Sequence, residues 1–156
     1  MSKPLGIIVY KGPSLLDGKP IVAIATGIGI KTSNEKIGDM LPIWILRSDI
    51  GPQLATKIGE DFSICGNCFQ KHANSCYVNI CHGPRWVYEA FHRDRYKNLD
   101  YDTVQYLENR YMRFGAYGDP AAVPIEIWEN LAKIAKGYTG YSHQWKKCNP
   151  ELKKYC

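Results

Sequence analysis

The segment 111–143 constrains the fold most, because it shows a strand, a helix and a second strand in close succession. The runs Tyr111–Tyr117 and 138–143 are rich in aromatic and β-forming side chains, which predicts two strands. Between them, apolar residues recur at helical spacing over 124–136, and Gly137 stands where many helices have a C′ glycine. A helical crossover joins parallel strands, so the sequence predicts a right-handed βαβ unit.

The first third of the chain is predicted to be β structure. Apolar runs over 6–10, Pro20–Thr26 and 40–47 predict three strands, and the polar, glycine-containing stretch 27–39 predicts a loop or hairpin tip. The second and third runs are almost continuously apolar. At least one of these strands should therefore be buried on both faces.

Three helices are predicted in the middle of the chain, over Pro52–Ile58, 83–96 and 102–111. A length of 156 residues fits one domain, with no linker or internal repeat to divide it. The fold class predicted for residues 1–156 is thus a single α/β (or α+β) domain. It comprises an N-terminal β section, a cysteine-rich metal-type loop, helices and the C-terminal βαβ unit.

Four cysteines lie close together at Cys65, Cys68, Cys76 and Cys81, with His72 among them. A Cys-x-x-Cys pair lets two thiolates bind one ion from a single turn, and further ligands complete a tetrahedron. The spacing predicts a zinc ion or an iron–sulfur cluster, with His72, Cys81 or a C-terminal group as the fourth ligand. Disulfides and unligated thiols are the alternative interpretations.

Several classes of protein are disfavoured by the sequence. No apolar run approaches the roughly 20 residues that span a bilayer, and the N-terminus lacks the apolar region of a signal peptide. We therefore expect a cytoplasmic protein with reduced thiols and no membrane partner, which favours metal binding over disulfides. No P-loop and no Gly-x-Ser-x-Gly nucleophile motif occurs.

The net charge of +5 is mildly basic and is below what a dedicated DNA-coating protein usually shows. Basic residues cluster in the middle of the chain with aromatic residues between them, and this set is predicted to bind nucleic acid or another partner: Arg85, Arg93, Arg95, Tyr96 and Lys97. The alternative is a solvated helix face beside a tyrosine-rich part of the core.

Two residues of the βαβ unit are candidates for catalysis. Asp119 follows its first strand and His143 closes its second, and ligands bind at the carboxyl ends of parallel strands. A carboxylate and an imidazole placed together can act as an acid–base pair. Gly115 and Gly118 would let the backbone approach a ligand. The alternatives are a tight turn held by Asp119 and a structural histidine.

Eight segments, spread over most of the chain, carry a resemblance to known proteins: 10–14, 16–18, 21–27, 44–47, 63–68, 76–79, 115–124 and 138–145. On these segments the chain resembles a family of phage and prophage cysteine-motif proteins, loosely akin to the phage gene product 88 proteins. The resemblance implies three metal-type cysteines, Cys65, Cys68 and Cys76, and implies that Cys81 is peculiar to this sequence. It also implies that the chain corresponds to the N-terminal portion of longer relatives, which continue into more strands and a second cysteine-rich segment.

Three functions fit these observations. The leading hypothesis is a phage-encoded protein, in the cytoplasm of the host, that holds a structural zinc ion or iron–sulfur cluster and binds nucleic acid or a host protein. The first alternative is a metal- or cluster-dependent enzyme with its site around Asp119 and His143. The second is a small phage inhibitor of a host defence protein, with no chemistry of its own.

Overall fold

A six-stranded mixed sheet organises the computed structural model, which describes residues 2–29, 39–73, 75–76 and 78–156, with only the backbone of His72. The strands are β1 (Gly6–Pro13), β2 (Pro20–Thr26), β3 (Leu41–Arg47), β4 (Lys97–Asn98), β5 (Tyr111–Tyr117) and β6 (Gly137–Gly140). The helices are α1 (Pro52–Ile58), α2 (Phe62–Cys65), α3 (Phe69–His72), α4 (Gly83–His92) and α5 (Ile125–Ile134). Short 3-10 turns cover Val104–Tyr106, Pro120–Ala122 and Pro150–Lys154.

The order of the strands is β4-β1-β2-β3-β5-β6. Strands β1, β2 and β3 form an antiparallel meander, whereas β3, β5 and β6 run parallel to one another. The predicted mixed α/β class and the C-terminal parallel strand pair are confirmed. Because β3, β5 and β6 are parallel, their carboxyl ends meet at one end of the sheet.

The core lies on both faces of the central strands. Ile43 of β3 pairs with Phe114 of β5, and the Trp128 ring of α5 stacks on Phe114 at 4.8 Å between centroids. Trp44 points to the opposite face, where α4 packs against β3. All of β2 except its ends is buried. This confirms the expectation that a continuously apolar strand is covered on both faces.

The predicted helix 83–96 ends four residues early, at His92. The backbone of Asp94 adopts a φ of 52°, a left-handed conformation that a helix cannot continue through. The chain then turns back, and β4 (Lys97–Asn98) pairs in parallel with β1 at the edge of the sheet.

The predicted helix 102–111 is wrong apart from the single 3-10 turn Val104–Tyr106. Its start is a side-chain turn, in which Thr103 donates from its backbone N–H to the Asp100 carboxylate and Asp100 donates from its N–H to the Thr103 hydroxyl. Asn109, at a φ of 56°, ends it. Local side-chain bonds of this kind compete with helix hydrogen bonds.

The end of α5 also differs from the prediction. The helix stops at Ile134, whose carbonyl accepts from the backbone N–H of Asn109 at 2.8 Å, so no glycine cap is needed. Gly137 instead begins β6, and that strand ends at Gly140 rather than at residue 143.

Two further expectations concern regions that the structure covers only in part. Most of the predicted loop 27–39, namely residues 30–38, lies outside the described residues. Among the helices that are described, none has the length and apolar content needed to cross a membrane.

Candidate functional site at the carboxyl ends of the parallel strands

A cavity of about 460 Å³ opens where β5 and β6 end. We call it the cysteine cavity. The predicted site residues that line it come from three separate parts of the chain: Cys65, Cys68, Cys76, Asp119 and His143. The structure therefore brings three of the predicted metal ligands and both predicted catalytic residues to one place.

The turn between the first two cysteines requires a glycine. Gly66 has a φ of 56°, and a Cβ there would lie 2.6 Å from the side-chain amide of Gln144. That amide donates to the backbone carbonyl of Cys65 at 3.1 Å. The contact ties the Cys-x-x-Cys turn to the segment that carries His143.

Helix α2, which ends at Cys65, lies beside a charged network around the buried side chain of Arg47. The Arg47 side chain is 4% exposed and binds both oxygens of Asp49 and one of Glu60, each at 2.9 Å. Its hydrogen bond and charge lower the pKa of Asp49. In α2, the hydroxyl of Ser63 donates to Asp17 at 2.7 Å. These bonds fix the start of the cysteine loop to β3 and to the turn after β1.

The surroundings of Cys65 disfavour the charged form of its thiol. Burial raises the pKa of the Cys65 thiol, and negative charge on Asp61 and Cys68 raises it further. The positive charge of Lys71 opposes this rise but does not cancel it. Cys65 is therefore a protonated thiol at neutral pH, which is a weak nucleophile.

Two hydroxyls beside the cavity are poorly satisfied. The hydroxyls of Tyr117 and Thr56 are buried near each other, and in the described part of the chain neither makes a well-formed hydrogen bond. Burial is also the main reason why the pKa of Tyr117 is raised. Poorly satisfied buried polar groups cost stability and often accompany functional sites.

Asp119 is 5% exposed, and its carboxylate accepts three hydrogen bonds. One oxygen accepts from the backbone N–H of Ala121 at 2.9 Å and from the hydroxyl of Ser142 at 2.7 Å. The other accepts from the backbone N–H of His143 at 2.7 Å. Asp119 thus caps the turn after β5 and fastens the segment after β6 to it, while the exposed His143 lines the cavity.

The other two predicted ligands are Cys81 and His72. Cys81 is exposed on the turn before α4, where its sulfur accepts from the Gln53 amide at 3.4 Å, and it does not line the cysteine cavity. The side chain of His72 lies outside the described residues. Among the described side chains, no group of three or more His, Cys, Asp or Glu stands in a metal-binding arrangement.

The predicted partner-binding residues lie around α4 and β4. Arg85 pairs with Glu89 one turn away at 2.9 Å, and Arg93, Arg95 and Lys97 are exposed. The ring of Tyr96 is partly buried: a Cβ on Gly6 would lie 2.7 Å from it, and burial raises the pKa of Tyr96 to about 12. The aromatic member of this set therefore contributes to packing.

Sequence reasoning missed a group of residues that line the cysteine cavity or the cavity next to it. We call them the rim, and their side chains are exposed: Phe69, Tyr141, Trp145, Lys146 and Lys147. The two aromatic and two basic residues within 141–147, a segment without a carboxylate, were the available indication.

Comparisons with family models, with curated proteins and with solved structures give no match to this chain. Function is therefore argued from the chemistry of the site.

Proposed function

We propose that this chain is a phage-encoded metal-binding protein. Cys65, Cys68 and Cys76 hold a zinc ion or an iron–sulfur cluster in a structural role, and the partner is nucleic acid or a host protein. The observation that supports the proposal most is that these three thiols line one cavity, whereas Cys81 stands outside it. The phage origin rests on the resemblance described above.

The chemistry of the donors fits these metals. Thiolates are soft ligands that prefer zinc and iron–sulfur clusters to hard cations such as magnesium. Ionised Cys68 and Cys76 would oppose ionisation of Cys65, and a cation bound among the three would offset that repulsion. Imidazole also binds zinc. Because His143 lines the cysteine cavity and Cys81 does not, His143 is the better candidate for the fourth ligand.

The local structure fits a structural role. Helices α2 and α3 have four residues each and flank the Cys-x-x-Cys turn. Helices this short are not stable by themselves. A bound ion would link them to the loop that carries Cys76, and the energy of binding would then contribute to folding.

The proposal predicts that protein purified without a chelator contains about one zinc ion or one cluster per chain. Cys68→Ser should release the metal and lower the thermal midpoint by several degrees, because the bound ion stabilises the fold. Cys81→Ser is the matched control and should leave both values unchanged. Elemental analysis and thermal unfolding measure the two quantities. A protein that contains neither zinc nor iron, with a midpoint indifferent to Cys68→Ser, would contradict the proposal.

An enzymatic function is the second candidate, and the exposed position of His143 in the cysteine cavity favours it. A volume of about 460 Å³ is within the range of small-molecule sites. A catalytic zinc keeps one coordination position open, whereas a structural zinc has four protein ligands. Loss of metal in His143→Ala would identify the histidine as a ligand. Retention of metal would leave the imidazole available for proton transfer.

A further inference from the structure

The cysteine cavity has two neighbours with which the segment 143–149 connects it. His143 lines both that cavity and a neighbouring one of about 350 Å³. Gln144 and Lys147 line the latter and also a third cavity of about 610 Å³. Residues of the segment 143–149 therefore line all three cavities, which we call the groove.

Aromatic rings stand exposed at the first half of this groove. Phe69 is 75% exposed, and Tyr141 and Trp145 are each 71% exposed. Phe69 and Trp145 line the middle cavity, and Tyr141 lines the cysteine cavity. Large aromatic side chains that are grouped on a surface are typical of binding sites, because exposing several apolar rings together does not stabilise the fold.

The charge of the rim is positive. The ammonium group of Lys146 lies 5.1 Å from the centre of the Trp145 ring, and Lys147 lines the middle and third cavities. The Asp119 carboxylate is covered by its three hydrogen bonds. Glu126 lines the third cavity, and the middle cavity, which Phe69 and Trp145 line, has no carboxylate among its lining residues. An anionic ligand with aromatic groups complements this surface.

We propose that the rim binds single-stranded nucleic acid along the groove. Bases would stack on Trp145 and Phe69, and phosphates would lie near Lys146 and Lys147. A single strand fits because its base faces are free, whereas a duplex keeps them stacked on each other. The proposal deepens the proposed function, on which it rests for the class of partner, and it places that partner at the rim instead of at α4 and β4.

The first test measures fluorescence anisotropy with labelled single strands of about 12 nucleotides, a length within the site sizes of single-strand binders. Trp145→Ala should weaken binding about tenfold, because stacking is lost. Trp86→Ala is the matched control: Trp86 is 66% exposed and lines a separate cavity with Thr26 and Gly27. The Trp86→Ala variant should bind the oligonucleotide with unchanged affinity. Equal effects of the two substitutions, or tighter binding of a duplex, would overturn the proposal.

The second test uses the salt dependence. A plot of log affinity against log salt has a negative slope, and Lys146→Gln combined with Lys147→Gln should make that slope shallower by about 1.4. The reason is that each single-strand phosphate contact contributes about 0.7 to its magnitude. Arg93→Gln combined with Arg95→Gln should leave the slope unchanged. A slope that responds only to the arginine pair, or no binding at about 50 mM salt, where phosphate contacts are strong, would overturn the proposal.

Separate arms with DNA and with RNA identify the natural strand, and binding of either supports the proposal. Metal content is measured on the same samples. Oligonucleotide binding without metal would refute the metal site alone, and metal without oligonucleotide binding would refute the rim alone.

Discussion

Replacing Asp119 with alanine is expected to lower the free energy of unfolding by about 3 to 5 kcal/mol. Three donors would lose their acceptor together: the N–H groups of Ala121 and His143 and the hydroxyl of Ser142. Each buried donor left without a partner costs about 1 to 3 kcal/mol, and Asp119 itself is 5% exposed. Chemical denaturation monitored by circular dichroism measures the loss.

Two further substitutions test the reason for this loss. In Asp119→Asn, one amide oxygen can still accept from Ala121 and Ser142, but the NH2 group would face the N–H of His143, so an intermediate loss is expected. The control is Asp102→Ala, at an exposed aspartate, which should change stability by less than about 0.5 kcal/mol. A loss below about 1 kcal/mol for Asp119→Ala would contradict the structural role of the carboxylate.

The three hydrogen bonds of the Asp119 carboxylate also limit its possible role in catalysis. A carboxylate that already accepts three hydrogen bonds has little capacity left to take a proton from a substrate. Asp119 then acts by positioning the backbone of His143, and the imidazole remains the group available for proton transfer at the cysteine cavity. An enzymatic mechanism at this site would have to place its acid–base chemistry on His143.

Local patterns were enough to predict the strands that end at the cavity. The continuous apolar runs of β2 and β3 reflect burial on two faces, and the strand–helix–strand pattern of 111–143 specifies parallel strands. Parallel pairing then places Asp119 and His143 at the same end of the sheet. The strand–helix–strand pattern determines how the strands are connected, and this connection determines where the two residues lie.

Other features depend on contacts that are distant in sequence. The left-handed residue Asp94 follows the end of α4, and the left-handed residue Asn109 follows a 3-10 turn, yet either residue type occurs inside helices elsewhere. The carbonyl of Ile134 is satisfied by Asn109, far along the chain, so the position of Gly137 was misleading. Sequence spacing likewise cannot show which cysteines share a cavity, and here it is the fold that separates Cys81 from the others.

The glycines after β5 illustrate the same limit. The sequence interpretation was that Gly115 and Gly118 make room for a ligand. In the structure, both have a φ near 80°, and the space that their side chains would occupy is filled by the protein itself. A Cβ on Gly115 would lie 2.7 Å from the carbonyl oxygen of Gly118. Both residues are needed so that the chain can turn sharply between the strand and Asp119.

Gly118→Ala is accordingly expected to lower the free energy of unfolding by about 3 kcal/mol, since two costs combine. A left-handed φ of 80° costs an alanine about 1 to 2 kcal/mol, and overpacking costs about 1 to 3 kcal/mol. The overpacking arises because the new Cβ would lie 2.7 Å from the Cβ of Ile45 and 2.8 Å from its carbonyl oxygen. The displaced turn would also shift Asp119.

Gly18→Ala separates these two costs. Gly18 has a φ of 78°, almost equal to that of Gly118, but no atom lies within 4 Å of the position of its Cβ. It should therefore lose only the conformational part, about 1 to 2 kcal/mol. Both variants are measured by the same denaturant titration, with comparison of their midpoints at unchanged slope. If the two variants lose equal stability, the contact with Ile45 carries no cost, and the left-handed φ of the turn is the only reason for a glycine at position 118.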